Sequence, residues 1–88
     1  MFGKITAILG SETDDELFTV LKDVLSSYNA IVEEKSFHVV GSQEIKTWEA
    51  LLGSQKLKIV SETYEGLSIK GPSKLVNEIA AKVDLHLA

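Results

Sequence analysis

The chain has 88 residues, 44% of them hydrophobic, with one proline and no low-complexity run; that is enough for one domain around one core and predicts a chain that folds and does not stay disordered. It has no cysteine, which excludes a disulfide framework, a thiol nucleophile and a thiolate metal site, and points to a reducing cytosol. The net charge is −4 and all nine basic residues are lysine, so the arginine fork that reads guanine edges and clamps phosphates is missing and nucleic-acid binding is disfavoured.

In chain order, residues 2–9 alternate, with Ile5, Ala7 and Leu9 on one side and Phe2, Lys4, Thr6 and Ile8 on the other. This predicts a strand apolar enough on both sides to sit inside a sheet. The apolar run here is too short for a signal peptide or a membrane span, and no membrane association is expected. Gly10-Ser11 breaks the strand, and Thr13 with Glu16 has the spacing of a capping box, which starts a helix. Leu17, Leu21, Val24, Leu25 and Tyr28 recur at helical spacing as its buried stripe, and Asn29 suits a left-handed stop.

Residues 30–40 read as a second strand, firmest from Phe37 to Val40 and ended by Gly41-Ser42. Residues 43–52 fit both periodicities, because Ile45, Trp48, Leu51 and Leu52 also form a helical stripe. A tight Gly53-Ser54 turn, however, would set Trp48 opposite Ile59, Glu49 opposite Lys58 and Ala50 opposite Leu57, and these pairs favour a strand. A β-hairpin follows over residues 56–71. A three-residue loop, Tyr64 to Gly66, would pair Thr63 with Leu67 and Ser61 with Ile69, placing Leu57, Ile59, Leu67 and Ile69 on one face and Gly66 in the left-handed position. Pro72 then opens a second helix near its first position. The stripe of that helix is Leu75, Val76, Ile79, Ala80, Val83 and Leu87.

The expected order is β-α-β-β-β-β-α, a small single α+β domain with a mainly antiparallel sheet and two helices on one face. The other face, with Val40, Thr47 and Val60 among charges, favours a homodimer. Phe18, Phe37 and Trp48 are read as core.

Chemistry is sparse. His38 and His86 have no ligand spacing, no nucleotide loop or nucleophile elbow is present, and neither a metal, a cofactor nor a catalytic residue is expected. Charge is uneven: residues 1–44 hold Lys4, Lys22 and Lys35 against eight acids. Two surfaces follow. The first is a protein-binding surface for a basic partner, using Glu12, Asp14, Asp15, Glu16, Glu33 and Glu34 from the acidic half and Glu62, Tyr64 and Glu65 at the hairpin tip. The second is an anion site at the strand-to-helix junction, where Lys70, Gly71, Ser73 and Lys74 join two cations, a hydroxyl and free backbone N–H groups. Of the two, the non-enzymatic protein-binding module leads, and the alternative is a small-anion-binding domain or minor enzyme that uses the junction.

Overall fold

The computed structural model describes residues 3–87. Its elements run β1 (Lys4–Gly10), α1 (Asp15–Ser27), β2 (Ile31–Val40), β3 (Gln43–Leu52), β4 (Gln55–Glu62), β5 (Gly66–Pro72) and α2 (Ser73–Leu87). The domain is α+β, with one five-stranded antiparallel sheet of order β1-β5-β4-β3-β2. Strands β2 to β5 form a meander, and β1 returns to pair with β5 at the far side. Phe2, expected at the start of β1, lies outside the described residues.

Two short turns set the meander's register. Gly41 and Gly53 each take φ 63° at the first position of a two-residue connection, a conformation that glycine adopts without steric cost. The second turn pairs Trp48 with Ile59, Glu49 with Lys58 and Ala50 with Leu57. Residues 43–52 are therefore strand, because those cross-strand contacts outweigh a helical propensity that is only a weak preference.

The β4–β5 hairpin differs from the expected register. Ser61 pairs with Leu67, Ile59 with Ile69 and Glu62 with Gly66, so the three-residue loop is Thr63-Tyr64-Glu65. Thr63 is held by β3 instead of β5: its N–H donates to the Glu44 carbonyl at 3.0 Å, and its hydroxyl accepts from the Glu44 N–H at 3.0 Å. With Thr63 committed there, the turn centres on Tyr64, which itself takes a positive φ of 72°. The shift is two residues, so the faces are unchanged and Leu57, Ile59, Leu67 and Ile69 share the buried side. The helix cap also moves. Asp14, not Thr13, caps α1, its carboxylate accepting from Leu17 N–H at 3.1 Å, because the Thr13 hydroxyl is occupied with that of Ser11 at 2.8 Å and Asp caps equally well.

Both helices lie on one face. Leu17, Leu21, Val24 and Leu25 of α1 and Leu75, Val76, Ile79 and Val83 of α2 form one cluster with Ala50, Leu52, Leu57, Ile59, Leu67 and Ile69. Each such aliphatic side chain stabilises the fold by about 1.5–3 kcal/mol on burial. Leu87, expected in the α2 stripe, is exposed. The helices also touch through Tyr28, whose hydroxyl donates to Glu78 at 2.6 Å beneath the Lys82 ammonium, 4.4 Å from the ring. Hydrogen bonding to the Tyr28 hydroxyl raises the Lys82 pKa, desolvation opposes it in part, and the charges of Tyr28 and Glu78 add smaller upward contributions.

Two expectations about the core are corrected. β1 is an edge strand and not an interior one, with Ile8 68% exposed on the helix-free side. The aromatics stand at the rim of an all-aliphatic core: Phe18 and Trp48 are half-buried and meet edge-to-face at 5.0 Å, and Phe37 is 51% exposed. The reason is the placement of the helices. α2 packs on β1 and β5, and α1 reaches β3 through Phe18, which leaves the outermost strand, β2, beyond the cover of either.

Candidate functional site

Antiparallel pairing decides what meets at each end of the sheet. Gly10 at the end of β1 pairs with Leu67 at the start of β5, Gly66 pairs with Glu62, and Ile45 near the start of β3 also pairs with Glu62. The loop before α1, the β4–β5 turn and the β2–β3 turn therefore gather at one end. They bring Glu12, Asp14, Asp15 and Glu16 from the first half of the chain together with Glu44, Glu62 and Glu65. First-turn acids also complement the helix dipole, so Asp15 and Glu16 contribute to the stability of α1 as well as to the local field.

A cleft opens at this end between α1 and the overhanging β2–β3 hairpin. One hollow of about 380 Å³ is lined by Glu12, Thr13, Phe37, Ser42, Glu44, Lys46, Ser61 and Thr63. A second, of about 490 Å³, is lined by Glu12, Asp15, Phe18, Thr19, Lys22, Lys46, Trp48 and Ser61. Glu12, Lys46 and Ser61 line both, so the two hollows adjoin. Lys46 lies at the centre, 5.7 Å from the Phe37 ring and 5.8 Å from the Trp48 ring, with its ammonium 3.5 Å from the Glu34 carboxylate. The arrangement offers aromatic surface, one central cation and an acidic mouth.

Of the residues singled out from the sequence, Asp14, Asp15, Glu62, Tyr64 and Glu65 are brought to this end. Tyr64 is 81% exposed at the tip of the turn. Glu34 is not part of the mouth; it lies on β2 opposite Trp48 and pairs with Lys46. Glu44, Lys46, Phe18 and Phe37 join the site without having been chosen as binding residues. Only the fold of the meander and the return of β1 make them neighbours, although the strand pairing read at Trp48 already put Lys46 on the same face.

The strand-to-helix junction divides. Lys70 and Gly71 line a hollow of about 260 Å³ on the helix-free face with Lys4, Glu49, Lys56 and Lys58, whereas Ser73 and Lys74 line another with Gln55 and Pro72. The Ser73 N–H, one of the free donors expected to attract an anion, donates to the Gly3 carbonyl at 3.2 Å. On the helix-free face Lys58 stands directly opposite Lys70, and like charges so placed cost energy.

His86 bonds its Nδ1 to the Lys82 carbonyl at 2.8 Å within α2. Among the described residues, no group of three histidines or acids converges to hold a metal ion, and no helix is long and apolar enough to cross a membrane. Comparison with protein-family models, with curated proteins and with solved structures finds no match.

Proposed function

We propose that the chain is a non-enzymatic protein-binding module of the cytosol that offers the acidic end of its sheet to a basic protein partner. One observation carries the reading: two acidic stretches some fifty residues apart, Glu12 to Glu16 and Glu62 to Glu65, come to the same end of the sheet, where Glu12, Asp15 and Glu44 line a cleft with an aromatic floor. Charge at the mouth speeds encounter and sets orientation, while Tyr64, Phe37, Phe18 and Trp48 supply contact area at low entropic cost. A second reading, a small-anion site at the lysine end, is favoured by the opposed Lys58 and Lys70, whose repulsion an anion would offset.

The test uses a partner captured on the wild-type protein. Reversing Glu12, Asp15 and Glu65 to lysine leaves the Asp14 cap in place and is expected to slow association about tenfold or more at low ionic strength. The difference should shrink in salt as the Debye length falls from about 10 Å at 0.1 M to about 3 Å at 1 M. An unchanged rate at low salt would rule the acidic end out as the docking surface.

The module is also proposed to act as a homodimer. The helix-free face is the less suited surface for it, because Val40, Thr47 and Val60 are interleaved there with Lys58, Lys70 and Glu49, and stacking would desolvate those charges.

A further inference from the structure

We infer that two copies of the chain join through β2, edge to edge and antiparallel, to make one continuous sheet; the inference rests on the homodimer of the preceding reading and places its contact. Four observations lead there. β2 is ten residues long and ends the sheet, so its outer N–H and C=O groups have no ladder partner. It is exposed on both faces, and Ile31, Val32, Phe37, Val39 and Val40 are all exposed hydrophobics. A long, exposed edge of this kind is a template for another strand, and single-copy proteins blunt it with charge or bulges. Here the protection, Glu33-Glu34-Lys35 with its bulge, covers only the centre.

The bulge decides the register. Before it, Val32 and Glu34 share the helix side with Ala50 and Trp48; after it, Phe37 and Val39 do so with Lys46 and Glu44. Ile31 and Glu33, then Ser36, His38 and Val40, fall on the other side. About a two-fold axis normal to the sheet, opposed residues must lie on the same side. Pairing Ile31 with Val40, Val32 with Val39, Glu33 with His38 and Glu34 with Phe37 meets this requirement at every position. Each strand carries the same extra residue, so the residue counts match across the axis, where Lys35 faces Ser36.

The chemistry of that pairing selects a second copy as the occupant. Both apolar ends of β2 meet apolar ends, and each Glu33 carboxylate faces an imidazole able to donate to it. The antiparallel arrangement also lays the acidic end of one copy alongside the lysine-bearing end of the other, whereas a parallel arrangement would bring like ends together. Main-chain bonds give such contacts their affinity, and the alternating side chains give them their specificity.

Sedimentation across the micromolar range tests this, with circular dichroism as the control for folding. Wild type is expected to be dimeric at high micromolar concentration. Val39→Lys and His38→Glu, both at exposed positions, should leave the spectrum unchanged and weaken the dimer about tenfold or more, His38→Glu by setting two carboxylates opposite each other. The double variant Glu33→Lys/His38→Glu should restore association, because each lysine then faces the partner copy's glutamate. A monomer at every concentration overturns the inference and the homodimer reading together. A dimer untouched by Val39→Lys overturns the β2 contact alone, and a swap that fails to restore association overturns the register.

Discussion

Gly66→Ala is expected to destabilise the domain by about 2–4 kcal/mol, a fall in melting temperature of about 10–20 °C for a chain of this size. Two costs add. Gly66 sits at φ 103°, where a residue with a Cβ is strained by about 1–2 kcal/mol. The new methyl group would also overlap the carbonyl oxygen of Gly10, and a backbone atom can yield only by moving β1 off β5. Gly53→Ala separates the two costs, because Gly53 has φ 63° with nothing near the position of its Cβ. That variant should lose only about 1 kcal/mol. Equal losses for the two variants, measured by urea denaturation, would contradict the close approach of β5 to the end of β1.

The second large effect separates the faces of the sheet. Ile69 is wholly buried at the centre of β5, between Ala7 and Ile59, and Ile69→Ala should cost about 4 kcal/mol, the lost transfer energy plus that of the cavity left behind. Ile8, one strand away on the opposite face and 68% exposed, should tolerate alanine within about 0.5 kcal/mol. With total stability of an 88-residue domain at roughly 5–15 kcal/mol, the first variant approaches unfolding and the second should be hard to distinguish from wild type. Similar losses at both positions would mean that the helix-free face is covered.

Much of this fold is written locally. The pairing of β3 with β4 followed from one turn and the alternation on either side of it, and both helical stripes followed from spacing, with only Leu87 falling outside. The cap of α1 moved for a local reason, the bond between the Ser11 and Thr13 hydroxyls, whereas the larger misreadings were set by contacts between distant segments. The β4–β5 register slipped by two residues because Thr63 is bound to Glu44 of β3, a contact that neither strand of the hairpin reveals. The aromatics were read as core because a large apolar ring usually is, yet two helices cannot span five strands, and Phe37 lies beyond their reach. β1 looked like an interior strand because Ile8 is apolar; its edge position depends on the return to β5, some sixty residues later. The candidate site shows the same division. Its acidic residues stood out by composition, but their convergence with Glu44, Lys46 and the aromatic floor is a product of topology.

Docking at the acidic end can be followed through the backbone amide resonances of the labelled protein as the captured partner is added. Shifts are expected at residues 10–15, 42–46 and 61–66, at the acidic end of the sheet, and should fade as salt is raised. Shifts confined to Lys4, Lys56, Lys58 and Lys70 at the other end of the sheet would contradict it and favour the anion-binding reading.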